Sequence, residues 1–254
     1  MQPEESGSMK VGLIGFARSG KTTVFNAITG ARAEVGAYGS RDANIAVIKV
    51  PDARVDALAE IYKPKKKTYA EIEFVDIAPA EGSDQDRALD SAALTLLKNA
   101  DALAHVVRAF KNDNVMHPRD TVNPVRDVQS LEEELQLIDL IVLEKRVERL
   151  EKEHRKDQEY ELMVRCKAHL ESGKPLRTLD FSAQDALLLR SYSLLSQKPM
   201  MLLCNSGDDG LGEADPGGLS EIASALGLDL ISFCGALEME VNGLPEEERA
   251  AFRE

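Results

Sequence analysis

The sequence is poor in several things, and each shortage removes a class of protein. It has only three cysteines, Cys166, Cys204 and Cys234, odd in number and far apart, so neither a disulfide framework nor a cysteine-based metal site is expected. They read as reduced thiols in a cytoplasmic protein. The four histidines are scattered and add no zinc pattern. No stretch approaches the roughly eighteen consecutive apolar residues of a membrane span, so no membrane association is expected. Met1 to Ser8 is polar and acidic, the wrong chemistry for a secretory leader, and Met9 is a candidate natural start. Internal repeats and low-complexity tracts are missing too. Net basic charge is also lacking: a balance of −13 argues against indiscriminate nucleic-acid binding.

What is present is a chain of 254 residues, 43% hydrophobic, long enough to bury a sizeable core. Two local basic clusters stand out. One is Lys63, Lys65, Lys66 and Lys67; the other is a helix face with Arg146, Arg149, Lys152, Arg155 and Lys156. Charge runs of this kind are usually solvated surface, with an RNA-facing role as the minority reading.

Residues Gly15 to Thr22 read G-F-A-R-S-G-K-T, a full match to the phosphate-binding loop pattern G-x-x-x-x-G-K-[ST]. The context fits as well. A short apolar strand, Lys10 to Ile14, precedes the loop, and a helix-like run from Thr23 to Ile28 follows it. Such a loop turns backbone N–H groups inward, and the helix N-terminus adds positive potential. Arg18, Ser19, Gly20, Lys21, Thr22 and Thr23 are therefore candidate nucleotide contacts. Lys21 is expected to reach the β- and γ-phosphates, and the Thr22 hydroxyl to ligate Mg²⁺.

Downstream, apolar strands alternate with helical spacing. Strands are expected at Asn44–Val50, Tyr69–Ile77, Ala102–Phe110, Lys198–Asn205 and Leu228–Phe233, and helices at Asp52–Tyr62, Ala88–Asn99 and Gly218–Leu226. That alternation predicts an α/β fold with a mainly parallel sheet covered on both faces. It breaks near Pro124. Residues 128 to 156 hold no glycine or proline and carry a helical apolar stripe: Leu131, Leu135, Ile138, Val142, Leu143, Val147 and Leu150. Further helices are expected at Glu159–Leu170 and Ser182–Ser196. A nucleotide domain, residues 10–125 and 197–254, is thus read as split by a helical or coiled-coil insertion, residues 126–196.

Asp76 ends an apolar strand, where phosphoryl-transfer sites place an acid that orients Mg²⁺ through water, so Thr22 and Asp76 form the candidate metal pair. Asn205-Ser206-Gly207-Asp208 ends another strand, where GTP-binding proteins carry N-K-x-D. Asn205 would brace the loops and Asp208 would accept from the base, while Ser206 removes the aliphatic packing a lysine gives. Cys234-Gly235-Ala236 follows the last strand at the place of the S-A-K turn that touches the base. This leaves ATP and GTP both open.

The order of these elements resembles the Obg-like ATPases of the YchF branch, within the translation-factor class of P-loop NTPases. The resemblance runs over nearly all of residues 10 to 254. Gly15 to Ala27, Val50-Pro51-Asp52, Ile72 to Ala78, His105 to Arg108 with Phe110, Asp113-Asn114, Leu143 to Arg146, and Asn205 with Asp209-Gly210 carry it. It implies a G-type domain with a coiled-coil insertion that binds Mg²⁺ and ATP or GTP, hydrolyses slowly and associates with ribosomes. It further implies a continuation into a small β-grasp domain of the TGS type beyond the last residue here. The family's proposed catalytic helper, a histidine in the loop after the His105–Arg108 strand, matches His117; a lone loop histidine is more often simply exposed.

Three departures bear on catalysis. The family's switch glycine is replaced by Pro79, which has no N–H to report on the γ-phosphate. The first switch is shortened between Tyr38 and Asn44, with Ser40 or Asp42 the only stand-ins for its threonine. Ala80 offers no glutamine-like orienter of water. Arg18 admits two readings, an internal arginine finger or a solvated loop arginine. Two functions therefore stay open: a slow nucleotide-hydrolysing switch, or a hydrolysis-deficient nucleotide-binding module that presents its helical insert to a protein partner.

Overall fold

The computed structural model describes residues 8–30, 43–76, 89, 91–210, 213–245 and 247–249. Six strands form one sheet: β1 (Met9–Ile14), β2 (Asn44–Lys49), β3 (Glu71–Asp76), β4 (Ala102–Arg108), β5 (Met200–Asn205) and β6 (Asp229–Phe233). Their spatial order is β2-β3-β1-β4-β5-β6. Every neighbouring pair is parallel except β2 with β3, which run antiparallel at one edge. The expected α/β fold and mainly parallel sheet are both present. β4 is buried along its whole length, as a central parallel strand covered on both faces must be, and it carries His105 and Arg108 into the interior with its apolar residues. The order reverses direction at β1, so the chain leaves the carboxyl end of β1 beside that of β4. Open α/β sheets hold their ligands at such a point.

The helices are α1 (Lys21–Thr29), α2 (Ala53–Tyr62), α3 (Ser91–Lys98), α4 (Pro124–Lys152), α5 (Gln158–Glu171), α6 (Ala183–Leu189), α7 (Ser220–Leu226) and α8 (Gly235–Gly243). One face of the sheet buries Val11, Leu13, Phe74, Ala104 and Val106 with Val24 and Phe25 of α1. The other buries Ile14, Leu103, Val107 and Leu202 with Leu97 of α3 and Val128, Leu131 and Leu135 of α4.

α4 is one unbroken helix of 29 residues, opened by Pro124 at its first turn and by the Asn123 side chain, which accepts from the Arg126 N–H. Its second half belongs to a separate core. Leu143, Val147 and Leu150 bury with Leu162, Met163, Cys166 and Leu170 of α5, which the short link 153–157 turns back along α4. The change of core therefore falls inside α4, between Leu135 and Leu143, rather than at a loop near residue 126. Buried polar groups pin the returning chain at this joint. Asp139 accepts from the Leu195 and Ser196 N–H groups at 2.8 and 2.7 Å. Glu132 holds Arg177 through both carboxylate oxygens at 2.9 and 2.8 Å.

The helix expected over Ser182–Ser196 is shorter. α6 stops at Leu189, a 3₁₀ turn covers Arg190–Tyr192, and Ser193 takes a left-handed φ of 49°. The reason lies in the next two residues: Leu194 enters the core of the arm and Leu195 the core of the sheet. Among the described residues no helix is long and apolar enough to cross a membrane.

Candidate nucleotide site

The phosphate loop joins β1 to α1 and is shaped by what surrounds it. Gly15 has a φ of 141°, and a Cβ there would lie 2.4 Å from the Val106 carbonyl of β4. Gly20, at φ 95°, would place a Cβ 2.2 Å from the Asn205 amide nitrogen. Only glycine fits either position. Lys21 lies across the loop, its Nζ donating to the Gly15 and Phe16 carbonyls at 2.8 and 3.0 Å. Burial pushes its ammonium down to about 8, and the nearby Asp76 carboxylate only partly opposes this.

Asp76 ends β3 and is wholly buried. Its Oδ2 accepts from the Thr22 hydroxyl at 2.8 Å and from the Asn44 amide at 3.2 Å. Its Oδ1 is buried and has no hydrogen-bond partner among the described residues. This is the test of a divalent cation here, and the residues fit one. A hydroxyl that keeps a lone pair and a carboxylate with a spare buried oxygen are the hard donors Mg²⁺ takes, the remaining ligands coming from phosphate and water. No cluster of three or more His, Cys, Asp or Glu side chains suited to a metal occurs among the described residues.

At the end of β5, Asn205 is buried and bridges two loops. Its Nδ2 donates to the Ser19 carbonyl at 3.1 Å, and its Oδ1 accepts from the Gly235 N–H at 3.0 Å. Gly235 opens α8 and sits against Asn205 and the Thr23 methyl, where a Cβ would come within 3.0 and 3.2 Å. Ala236 follows in the first turn of α8. Asp208 is exposed at the mouth of this region, and the buried Cys234 thiol donates to its Oδ1 at 3.3 Å. Burial raises the Cys234 thiol above its usual range, which keeps it a proton donor. Ser19 is buried beneath the loop, and its hydroxyl has no partner among the described residues.

Contacts thus link Ser19, Gly20, Lys21, Thr22, Thr23, Asp76, Asn205, Asp208, Cys234 and Gly235, with Ala236 next in α8, into one neighbourhood at the carboxyl ends of β1, β3 and β5. Arg18, in the loop itself, and His117 have their side chains tied to the connection after β4 and to α4. Arg18 has a left-handed φ of 62°, and its Nη1 donates to the Met116 carbonyl at 3.0 Å. His117 is buried: its Nε2 donates to Asp127 of α4 at 3.0 Å and its Nδ1 accepts from the Arg119 N–H at 3.1 Å. With both ring nitrogens engaged, the imidazole can reach a water only by leaving Asp127.

Two residues carry no motif and were missed. Asn44 meets Asp76 because antiparallel pairing sets the two opposite each other, and nothing local announces that register. Arg119 lies over the Phe16 ring at 4.4 Å while donating to Ser130 of α4 at 2.7 Å, tying the phosphate loop to the root of α4. The positions of Pro79, Ala80, Ser40 and Asp42 lie outside the described residues.

A family described as 50S ribosome-binding GTPase matches residues 10–145. Over 96% of this chain and 69% of its own length, the ribosome-binding ATPase YchF of Escherichia coli O157:H7 is 37% identical. The chain belongs to the YchF/Obg-like ATPase family. YchF of Bacillus subtilis (strain 168) is 34% identical over 97% of this chain and 71% of its own length. Obg-like ATPase 1 of Oryza sativa subsp. indica is 33% identical over 97% of the chain and 66% of its own length. The solved structure of the Schizosaccharomyces pombe YchF GTPase superposes with a TM-score of 0.80 at 27% identity, covering 96% of this chain and 70% of that one. The YchF-like fold therefore extends through the helical arm as well as the sheet.

Proposed function

We propose that the chain binds a nucleoside triphosphate, ATP or GTP, together with Mg²⁺ at this site and hydrolyses it slowly as a YchF-like switch. The observation that carries the reading is the meeting of Lys21, Thr22 and Asp76 at the carboxyl ends of β1 and β3. The Lys21 amine rests on two loop carbonyls, so phosphate oxygens can take it over by simple exchange of acceptors. The Gly20 amide and those opening α1 offer N–H donors to the phosphates. Thr22 and Asp76 hold the cation, which when bound neutralises charge on the phosphate oxygens. Asn205 keeps the loop closed against β5, and Asp208 with the Cys234–Ala236 turn faces the base.

Ribosome association rests on the ribosome-binding character of the relatives and on charge. The cations of the arm are largely matched at home: Arg146 pairs with Glu159, Arg149 with Glu153, and Arg155 with Asp157 and Glu159. Lys63, Lys65 and Lys66 are exposed and form no ion pair among the described residues, which makes the end of α2 the better contact for a polyanion.

Calorimetric titration with ATP and GTP, each with Mg²⁺, tests binding, and single-turnover hydrolysis tests the switch. A rate in wild type no higher than in Lys21→Ala would leave the second reading, a nucleotide-binding module without hydrolysis. The engaged His117 ring and the missing N–H of Pro79 favour that reading.

A further inference from the structure

Asp76 has two donors, and both address the same oxygen. The Thr22 hydroxyl comes from the start of α1 and the Asn44 amide from the start of β2, and the two converge on Oδ2. Asn44 is brought there by register: it is the first residue of the edge strand β2 and stands directly opposite Asp76, the last residue of β3. Opposed residues of an antiparallel pair lie on one face within reach of each other's side chains.

The chemistry of the pair explains why an amide serves here. A carboxylate with one free single bond can turn, exchanging its two oxygens between a loop and a ligand. Two donors on one oxygen, from elements on different sides, stop that rotation. What remains is Oδ1, buried and without a partner, and an unpaired buried acceptor is an unstable resting place unless something positive arrives. The Lys21 ammonium interacts electrostatically with Asp76 but is committed to the Gly15 and Phe16 carbonyls. A hydrated divalent cation brought in with phosphate supplies what Oδ1 lacks, while Thr22 can donate its hydrogen to Oδ2 and still offer a lone pair.

We propose that Asn44 is the positioning residue of the metal half of the site: by holding Oδ2 it presents Asp76 Oδ1 to the cation of the metal–nucleotide complex. This rests on the proposed Mg²⁺–nucleotide function. It also gives β2, the strand that follows the first-switch region, a direct hand in reading whether the metal is present.

The experiment compares nucleotide affinity with Mg²⁺ and with EDTA, using ADP and non-hydrolysable ATP and GTP analogues. Wild type, Asn44→Ala and Asn44→Leu are titrated, the leucine keeping the volume while removing the donor. Both variants are expected to lose about tenfold of the Mg²⁺-dependent gain, with EDTA affinity within about twofold of wild type. The Mg²⁺ concentration needed for half-maximal binding should rise in parallel. A full Mg²⁺ gain in both variants overturns the proposal, as does an equal loss with and without metal, which marks a merely structural role. Absence of any Mg²⁺ gain in wild type overturns the metal assignment of Asp76 itself.

Discussion

Asn205 and Ser19 stand 186 positions apart and are joined by one hydrogen bond, the Asn205 amide donating to the Ser19 carbonyl at 3.1 Å. The same side chain receives the Gly235 N–H, so phosphate loop, β5 and the start of α8 meet on a single residue. Replacing it leaves a buried carbonyl and a buried N–H unpaired. Asn205→Ala is expected to lower unfolding free energy by about 2–5 kcal/mol, read from urea denaturation, and to weaken nucleotide binding. Gly20→Ala, whose Cβ would strike that amide at 2.2 Å, is expected to abolish binding with a smaller loss of stability.

Lys21 gives the site a pH signature. In the nucleotide-free fold its value falls from 10.5 to about 8, so between those values the unfolded chain holds a proton the folded chain lacks. Stability of the nucleotide-free protein therefore gains from this group as pH rises across that window. Binding follows the opposite sign, because phosphate requires the ammonium. Above about pH 8, affinity should fall by up to about tenfold per pH unit, with proton uptake visible as buffer-dependent heat in calorimetry. Lys21→Ala should show no such uptake.

The His117–Asp127 contact is a bolt between the β4–α4 connection and α4. His117→Ala and Asp127→Asn are both expected to lower stability by about 1–3 kcal/mol in chemical denaturation. Burial, opposed in part by Asp127, holds the imidazole below its usual range, so this contribution fades as pH falls below about 6.5. A hydrolysis rate that drops in His117→Ala without loss of stability would show instead that the ring swings free in the working state.

His105 is the sharper acid sensor. It is fully buried on β4, neither ring nitrogen has a partner among the described residues, and burial pushes its value down to about 3. Below about pH 6.5 the unfolded chain takes up a proton the fold refuses, costing up to about 1.4 kcal/mol per pH unit. A stability–pH curve for His105→Leu should be flatter between about pH 6.5 and 3 than that of wild type, at pH values where the fold survives.

Much of this site could be read from the chain because its parts are local. A glycine-rich turn between strand and helix, an aspartate closing β3 and an asparagine closing β5 each announce themselves within a few residues. Asn44 does not, because its role comes from pairing with a residue 32 positions away. His117 sits in a polar loop that reads as exposed, yet α4 folds over it and supplies Asp127. The stripe of α4 shows a helix with a buried face, but an apolar period is the same whichever core it enters. For that reason the division of Leu135 and Leu143 between two cores, and the break at Ser193, emerge only in three dimensions.

The continuity of α4 has a mechanical consequence. From Leu135, held in the sheet, to Lys152 at its end, the helix runs for about 25 Å without a hinge. A tilt of about 10° at its root would carry the tip through about 4 Å, as simple leverage on that length. The root is also where Arg119 and His117 clasp it beside the phosphate loop. The arm is thus geared to the sheet as a rigid pointer, and a displacement beneath the phosphates too small to alter the sheet would be read out, magnified, at its far end.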